Sequence, residues 1–239
     1  MSKFNQDSFN RFIIENDVLG FFEKPLRLKS GRTSHWYVNW RTVSEDVFLL
    51  DALSEFVCDF TRTLVQTGKL PEPPRCFYGV PEGATKLGVL TQYKWAKASS
   101  GYGKGTHVLP MGRTIPKEHG VPKDRYFLGM PSGGTIVIED VTTTGGSLLS
   151  TLDRLIEADV PILAACTLTH RMERRDDGKS VDEAVAERNS RGKSVPLLHM
   201  SSALELLPDI FAKQNPGESV ARSIEEEFKN YGMKSLSLL

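Results

Sequence analysis

Two acidic residues and the small, hydroxylated residues after them form the part of this sequence best suited to chemistry. Glu139 and Asp140 come first, and residues 142–147 then supply three threonines, two glycines and a serine. Neighbouring carboxylates bind sugar hydroxyls or a metal ion, whereas N–H groups at a helix N-terminus bind an anion such as phosphate. Together the two patterns predict a pocket for a phosphorylated ribose, with an ordinary strand–turn–helix as the alternative.

The elements that must position this stretch are a buried strand before it and a helix after it. Residues 136–138 are all β-branched without polar alternation, which is typical of a strand buried on both faces. Leucines at helical spacing predict a helix over residues 146–158. Buried strands are also predicted at 76–80 and 161–168. This alternation indicates an α/β fold with a parallel sheet, whose ligands bind beyond the carboxyl ends of the strands.

The rest of the chain divides into elements by apolar spacing and turn residues. Asp7 or Ser8 is placed to cap the first helix, and Phe48 is expected on the apolar stripe of the second. The pattern predicts a hairpin over residues 25–40, strands over 106–109 and 194–200, and helices over 5–18, 44–67, 86–96, 181–191, 201–207 and 217–230.

Bulk properties exclude several classes of protein. Thirty basic residues balance thirty acidic ones, which argues against a general nucleic-acid or membrane-surface partner. No apolar run approaches the ~18 residues that span a bilayer, and the N-terminus lacks the apolar segment of a signal peptide. Cys58, Cys76 and Cys166 lie far apart in apolar settings, which is typical of core residues in a reducing compartment. We therefore expect a single-domain cytoplasmic protein with neither nucleic-acid nor membrane partners.

The strand, acidic pair and Thr/Gly-rich loop resemble the signature with which type I phosphoribosyltransferases bind 5-phosphoribosyl 1-diphosphate (PRPP). The resemblance implies that family's fold, a central parallel sheet flanked by helices with a small hood subdomain. It also implies that the acidic pair is catalytic and binds the ribose hydroxyls, and that magnesium is held through PRPP rather than by a protein cage. The PRPP-binding residues implied in this stretch are Glu139, Asp140, Val141, Thr142, Thr143, Thr144, Gly145, Gly146 and Ser147.

The predicted hairpin carries a second pattern. Lys29 and Arg32 flank a tight turn, where two cations form either a solvated surface or an anion site. The segment Leu26–Ser34 and the residues 37–39 after it resemble the hood hairpin of the orotate phosphoribosyltransferases, one branch of the same family. The resemblance implies that Lys29 reaches both bound substrates and that residues around Tyr37 line the pocket for the base.

Arg171 follows the strand predicted at 161–168, so it emerges at the same sheet edge as the acidic pair. A base that bears a carboxylate favours a guanidinium there, because the fork pairs with both oxygens. The alternative is a surface arginine in the charged run 171–177. In the orotate enzymes an arginine at this position contacts the carboxylate of orotate. The orotate-binding residues that the resemblance implies are Lys29, Tyr37, Val38, Thr143 and Arg171.

Residues 113–126, called the lid below, lack regular periodicity and precede the strand at 136–138. The run Lys117–Gly120 matches the core of the family's mobile catalytic loop, and Arg113 stands at its first basic position. Thr114 stands where many members have a second basic residue. The resemblance implies that Arg113, Lys117 and His119 bind PRPP, with Lys117 and His119 catalytic, at the site of the neighbouring subunit in a homodimer. An exposed basic loop is the alternative.

Residues 81–85 fall where the family contacts the pyrophosphate of PRPP, commonly through tyrosine and sometimes lysine. This chain has Glu82 and Gly83 there. An acid facing pyrophosphate is unfavourable unless a magnesium ion lies between them, whereas the N–H of Gly83 remains a PRPP contact.

The resemblance spans residues ~5–210 and implies transfer of phosphoribose from PRPP to orotate. We expect one domain over 1–239, with a hood at about 1–43 and 194–212, a core at about 44–193 and a C-terminal helix at 216–231. Alternatives are a phosphoribosyltransferase for uracil or a purine, a regulatory protein that senses PRPP, and the first half of a fused UMP synthase. The chain ends too soon to include the ~250-residue decarboxylase barrel of that fusion.

Overall fold

A computed structural model of the protein describes residues 3–115 and 117–239, with the backbone alone at residue 122. In chain order its helices and strands are α1 (Gln6–Glu15), β1 (Leu19–Arg27), β2 (Thr33–Val38), α2 (Arg41–Glu45), α3 (Val47–Gln66), β3 (Cys76–Gly79), α4 (Thr85–Lys97), α5 (Pro122–Tyr126), β4 (Thr135–Thr142), α6 (Gly146–Glu157), β5 (Ile162–His170), α7 (Val181–Ala186), β6 (Asn189–Ser190), β7 (Lys193–Ser194), β8 (Leu197–Ser202), α8 (Ala203–Gln214) and α9 (Glu218–Tyr231).

The central sheet has four parallel strands in the order β3-β4-β5-β8. Side chains of β4 alternate between its two faces, so Ile136 and Ile138 join one apolar cluster and Val137 joins the other. The cluster on the Val137 face includes Leu148 and Leu152 of α6. Burial on both faces explains the unbroken β-branched run in the sequence. The predicted α/β fold with a parallel sheet is confirmed.

The hairpin predicted at residues 25–40 is present, and its first strand begins earlier, at Leu19. Helix α9 packs on this hairpin, with Phe228 stacked on Trp36 at 6.2 Å between ring centroids. Strand β8 pairs with β5 in the central sheet, although its segment was assigned to the hood. The division into hood and core stays a prediction.

Two of the predicted helices differ in their ends or their buried face. The N-cap of α1 is Asn5, whose side chain accepts a hydrogen bond from the Ser8 N–H. Neither Asp7 nor Ser8, the predicted caps, has this role. The helix predicted at 44–67 is divided, because the Asp46 side chain caps a new helix by accepting from the Leu49 N–H. Phe48 consequently lies in the first turn of α3 and is 80% exposed, so its predicted burial is wrong.

Two further segments differ from their predicted structure. Residues 106–109 form a turn and a loop rather than a strand, and the Val108 carbonyl accepts from the side chain of Gln92. The helix predicted at 181–191 ends at Ala186, and residues 189–194 form the small hairpin β6–β7. Helix α7 buries Val181 and Val185 against α6.

Glutamine side chains contact both outer strands of the central sheet. Gln92 of α4 accepts from the Phe77 N–H of β3 at 2.9 Å and donates to the Arg75 and Val108 carbonyls. Gln6 of α1 donates to the Met200 carbonyl of β8 at 2.8 Å. Each outer strand thus has a hydrogen bond to a helix side chain on its unpaired side.

None of the helices within residues 3–115 and 117–239 is long and apolar enough to cross a membrane.

Candidate active site

A cavity of about 640 Å³ opens at the carboxyl end of β4, where a parallel sheet is expected to bind its ligand. It is bounded by the β1–β2 hairpin on one side and by the loop before α6 on the other. The predicted site residues that line it are Lys29, Tyr37, Val38, Gly83, Glu139, Asp140, Val141, Thr143, Thr144, Gly145, Gly146, Ser147 and Arg171. Residues 139–147 and Gly83 are called the floor of the cavity below.

The acidic pair lies at the end of β4. Glu139 is 5% exposed, and its burial, followed by the charge of Asp140, raises its pKa well above the ordinary range. The Val141 N–H donates to Asp140 Oδ1 at 2.8 Å, which orients this carboxylate. A buried acid with a perturbed pKa in a cavity is typical of functional sites.

Gly83 brings the chain after β3 against the acidic pair. A methyl group added at Gly83 would overlap the carboxylate of Asp140. The main chain can approach the acid this closely only because residue 83 is a glycine. The Pro81–Glu82 peptide before it is cis. The Glu82 carboxylate also lines the cavity.

The loop after the acidic pair leads into the N-terminus of α6. Gly145 is the N-cap residue with φ of 73°, and no side chain caps the helix. The first N–H groups of α6 are therefore available for an anion, which the helix dipole also favours. Thr142 does not line the cavity, and its Oγ1 is buried without a hydrogen-bond partner among the described residues.

The hairpin contacts the loop through Lys29. Its Nζ donates to Ser147 Oγ at 3.1 Å, which joins positions 118 residues apart in the chain. One cation therefore lies at the boundary between the loop before α6 and the space bordered by Tyr37 and Val38.

Arg171 is held on the hairpin side of the cavity and is 2% exposed. Its Nε donates to Glu173 Oε1 at 2.7 Å, its Nη2 to Ser34 Oγ at 3.0 Å and its Nη1 to the Trp36 carbonyl at 3.4 Å. The guanidinium also lies 3.6 Å from the centroid of the Trp36 ring. This burial excludes the surface alternative for Arg171, and a guanidinium has more N–H groups than these bonds use.

Charged side chains behind the cavity fix the hairpin and Arg171 relative to each other. Glu173 also accepts from Arg32 at 3.1 Å, so one carboxylate joins two arginines. Glu227 of α9 accepts from Ser34 Oγ and from the His35 N–H, and burial raises its pKa. The start of β2 is therefore bonded both to the chain after β5 and to the C-terminal helix.

The lid lies beside the cavity, and its predicted site residues do not line it. Arg113, Lys117 and His119 are absent from the cavity lining, and the Lys117 N–H donates to the Arg125 carbonyl within the lid. Pro116 lies outside the described residues. Thr114 does reach the cavity, where its hydroxyl donates to Glu82 Oε1 at 2.9 Å. The roles of the three basic residues therefore stay predictions.

Arg154 lines the cavity although sequence reasoning did not single it out. It lies on the same face of α6 as Gly146 and Ser150, at a spacing of four residues, and this spacing could have identified it. Its guanidinium also approaches the Tyr126 ring of the lid at 5.5 Å. Asn39, the last residue of the hairpin motif, lines the cavity too, as do Arg41 and Ser150, which no motif marks.

No family model matches the chain. The orotate phosphoribosyltransferase of Agathobacter rectalis is 27% identical, over 96% of this chain and 98% of the relative. That of Bradyrhizobium diazoefficiens is 30% identical, over 63% of this chain and 75% of the relative. The crystal structure of the orotate phosphoribosyltransferase from Francisella tularensis superposes with a TM-score of 0.62 at 19% identity, over 94% and 99% of the two chains. This likeness shows that the two chains share a fold.

Proposed function

The chain belongs to the orotate phosphoribosyltransferase family, and from this premise we propose that it transfers the 5-phosphoribosyl group of PRPP to orotate. A ring nitrogen of orotate forms the bond to C1 of the ribose while the bond from C1 to the pyrophosphate oxygen breaks. The products are orotidine 5′-monophosphate and pyrophosphate, which makes the reaction a pentosyl transfer in pyrimidine synthesis. The observation that carries the proposal is that one cavity contains both the acidic pair with its anion loop and the buried Arg171.

The floor suits the sugar phosphate. Free N–H groups at the start of α6 and the hydroxyls of Thr143, Thr144 and Ser147 suit the 5′-phosphate. Asp140 and Glu139 suit the ribose, since their carboxyl oxygens accept hydrogen bonds from its two hydroxyls. Asp140, the more exposed of the two, supplies the negative charge that stabilises the ribose as the transition state gains oxocarbenium character, while the buried Glu139 binds the ribose hydroxyls.

The hairpin side suits a base that carries a carboxylate. Arg171 is fixed by Glu173, Ser34 and Trp36, and the N–H groups not used in these bonds are available to the carboxylate of orotate. Neutral bases such as uracil give no reason to bury a cation at this position. Lys29 lies between this region and the loop, so its charge serves both substrates.

Magnesium fits the donor set of the cavity, because Glu82 and Asp140 offer hard carboxylate oxygens. When bound, the ion neutralises charge on the pyrophosphate as it leaves. We expect few direct protein ligands, with the substrate and water completing the coordination. Glu82 would otherwise repel pyrophosphate, so its position in the cavity fits a site that would hold a cation.

The lid completes the site from a neighbouring subunit in this proposal. Arg113, Lys117 and His119 lie beside the cavity of their own chain rather than in it, which supports action across the interface of a homodimer. There they would bind the pyrophosphate and exclude water from PRPP. Three free, buried cysteines fit a reducing compartment, so we place the enzyme in the cytoplasm.

The choice of base tests the function directly. Purified protein is mixed with PRPP, magnesium and one of orotate, uracil, hypoxanthine or adenine, and the absorbance of the base is followed. Orotate is expected to be consumed fastest, because it alone offers a carboxylate to Arg171. Equal or faster use of uracil would contradict the assignment of orotate while leaving phosphoribosyl transfer in place.

Mixing two inactive variants tests the shared lid. One variant carries Lys117→Ala, which removes a lid cation, and the other variant carries Asp140→Asn, which removes a floor carboxylate. If the lid acts across the interface, a mixed dimer contains one site without either substitution and regains activity that neither variant has alone. Mixed dimers without any gain in activity would assign the lid to its own chain.

A further inference from the structure

We propose that Arg175 is a positioning residue for the 5′-phosphate, because it fixes the orientation of the Thr144–Gly145 peptide in the anion loop. This inference rests on the proposed function, since it takes the loop to be the site of the sugar phosphate. Arg175 does not line the cavity, so it acts from behind the loop and not on the substrate.

The contact that carries the inference is a hydrogen bond from Arg175 Nη1 to the carbonyl oxygen of Thr144, at 2.6 Å. Bonds from a charged donor are short and roughly twice as strong as neutral ones. Arg175 reaches across from the chain after β5, 31 residues along the sequence, and it is half-buried. The bond is therefore a long-range restraint on a loop whose own residues are small.

Peptide geometry converts this restraint into an anion site. In a trans peptide the C=O and N–H groups point in opposite directions. With the Thr144 carbonyl directed at Arg175, away from the cavity, the Gly145 N–H is directed toward the cavity that Thr144 and Gly145 line. This N–H makes no hydrogen bond within the parts of the chain that the structure describes, so it remains free for a phosphate oxygen.

The loop needs such a restraint because Gly145 can adopt other backbone conformations. Its φ of 73° is accessible to glycine, and so are conformations in which the preceding peptide is rotated. A rotated peptide would point the Thr144 carbonyl oxygen at the phosphate, which is repulsive, and would withdraw the N–H. Val181 packs 2.7 Å from the position of a Gly145 Cβ, which prevents a larger residue from supplying the rigidity instead.

Arg175 is itself held in place by a turn. Its N–H donates to the Lys179 carbonyl and its own carbonyl accepts from the Gly178 N–H. Its Nε pairs with Asp177 Oδ2 at 3.2 Å. The side chain is therefore presented to the loop by local structure, and its positive charge adds to the favourable field for an anion.

The test compares Arg175→Met, which removes the charge and the donor, with Arg175→Lys, which keeps both on a shorter side chain. Arg174→Met is the matched control, because Arg174 is exposed and its side chain donates to the Gly178 carbonyl rather than to the loop. Binding of ribose 5-phosphate is measured by calorimetry, and KM for PRPP and for orotate by initial rates. Circular dichroism confirms that each variant is folded, and Arg175→Gln replaces Arg175→Met if the latter does not fold.

We expect Arg175→Met to raise the Kd for ribose 5-phosphate and the KM for PRPP about tenfold, consistent with loss of one charge-assisted bond. The KM for orotate should change less than about twofold, Arg175→Lys should recover most of the affinity, and Arg174→Met should match the wild type. A uniform change in both KM values, or an unchanged Kd for ribose 5-phosphate, would overturn the inference. A wild-type protein that binds neither ribose 5-phosphate nor PRPP would overturn the proposed function, and this inference with it.

Discussion

The floor of the cavity and the lid both contain predicted functional groups, but the two regions are built differently. Apart from Gly83, the floor residues belong to β4, to the start of α6 and to the loop between them, and Glu139 is buried. Lys117 and His119 of the lid are exposed and lie outside the cavity. The groups proposed to contact the sugar phosphate are therefore already placed in the cavity of one chain, whereas the groups proposed to stabilise the leaving pyrophosphate are not. We expect floor substitutions to change binding and stability, and lid substitutions to change turnover.

Lys117→Ala should have the largest effect, and it tests the lid half of the comparison. Loss of a cation that acts on the developing charge of the leaving group should lower kcat roughly 100- to 1,000-fold. The Kd for PRPP, measured by calorimetry, should change only a few-fold, because the floor is intact. Lys123→Ala is the control, since Lys123 is an exposed cation of the same segment. A normal kcat for Lys117→Ala would remove the lid from the mechanism.

Gly83→Ala tests the floor half. The added methyl overlaps the Asp140 carboxylate, so the main chain or the acid must move, at a cost of about 1–3 kcal/mol in the free energy of unfolding. Urea unfolding measures that loss, and the KM for PRPP should rise with it because Asp140 is displaced. Gly101→Ala serves as the control, since a methyl group there contacts nothing within 4 Å. If Gly83→Ala left both quantities unchanged, the floor would be more adaptable than its packing indicates.

Glu139→Gln should have the smallest effect, on stability, and the sign of that effect depends on pH. The folded chain holds a proton on Glu139 over a range where the unfolded chain has lost it, because burial and Asp140 raise the folded pKa. The free energy of unfolding therefore falls as pH rises from the ordinary glutamate pKa toward the raised one. Glutamine at position 139 does not titrate, so the variant does not lose stability in this way. Its free energy of unfolding should therefore rise relative to that of the wild type as pH rises.

Thermal unfolding at pH 5 and pH 8 measures this difference, with ~2–4 °C in Tm expected for each kcal/mol gained. Glu187→Gln is the control, because Glu187 is an exposed glutamate that does not line the cavity. An equal Tm difference between Glu139→Gln and wild type at both pH values would contradict the raised pKa.

The floor was the most predictable region, because its pattern is local. The β-branched run, the acidic pair and the Thr/Gly loop follow one another directly, so α6 was predicted close to its observed bounds. Strand β4 was predicted in the right place, but it continues through the acidic pair to Thr142. Arg171 was harder, since its burial depends on Ser34 and Trp36, more than a hundred residues away in the chain. Local spacing carries no information about such partners.

The errors in the fold involve hydrogen bonds of polar side chains, which the spacing of apolar residues does not predict. Phe48 lies at a helical spacing that predicts burial, but the cap at Asp46 starts a new helix and leaves this ring in solvent. The apolar residues at 106–109 predict a strand, yet the adjacent edge of β3 is bonded to Gln92. In both segments a single polar side chain decided the outcome against the periodicity.

The glutamines at the two sides of the central sheet have a consequence for assembly. Outer strands present free main-chain groups on which another chain can add a strand, a common route to aggregation. Gln92 already bonds the Phe77 N–H and Gln6 already bonds the Met200 carbonyl, so an added strand would first have to displace these side chains. In the proposed homodimer, copies of this protein should therefore contact each other through helices and loops rather than by extending the sheet, so the lid of one copy is free to meet the cavity mouth of the other.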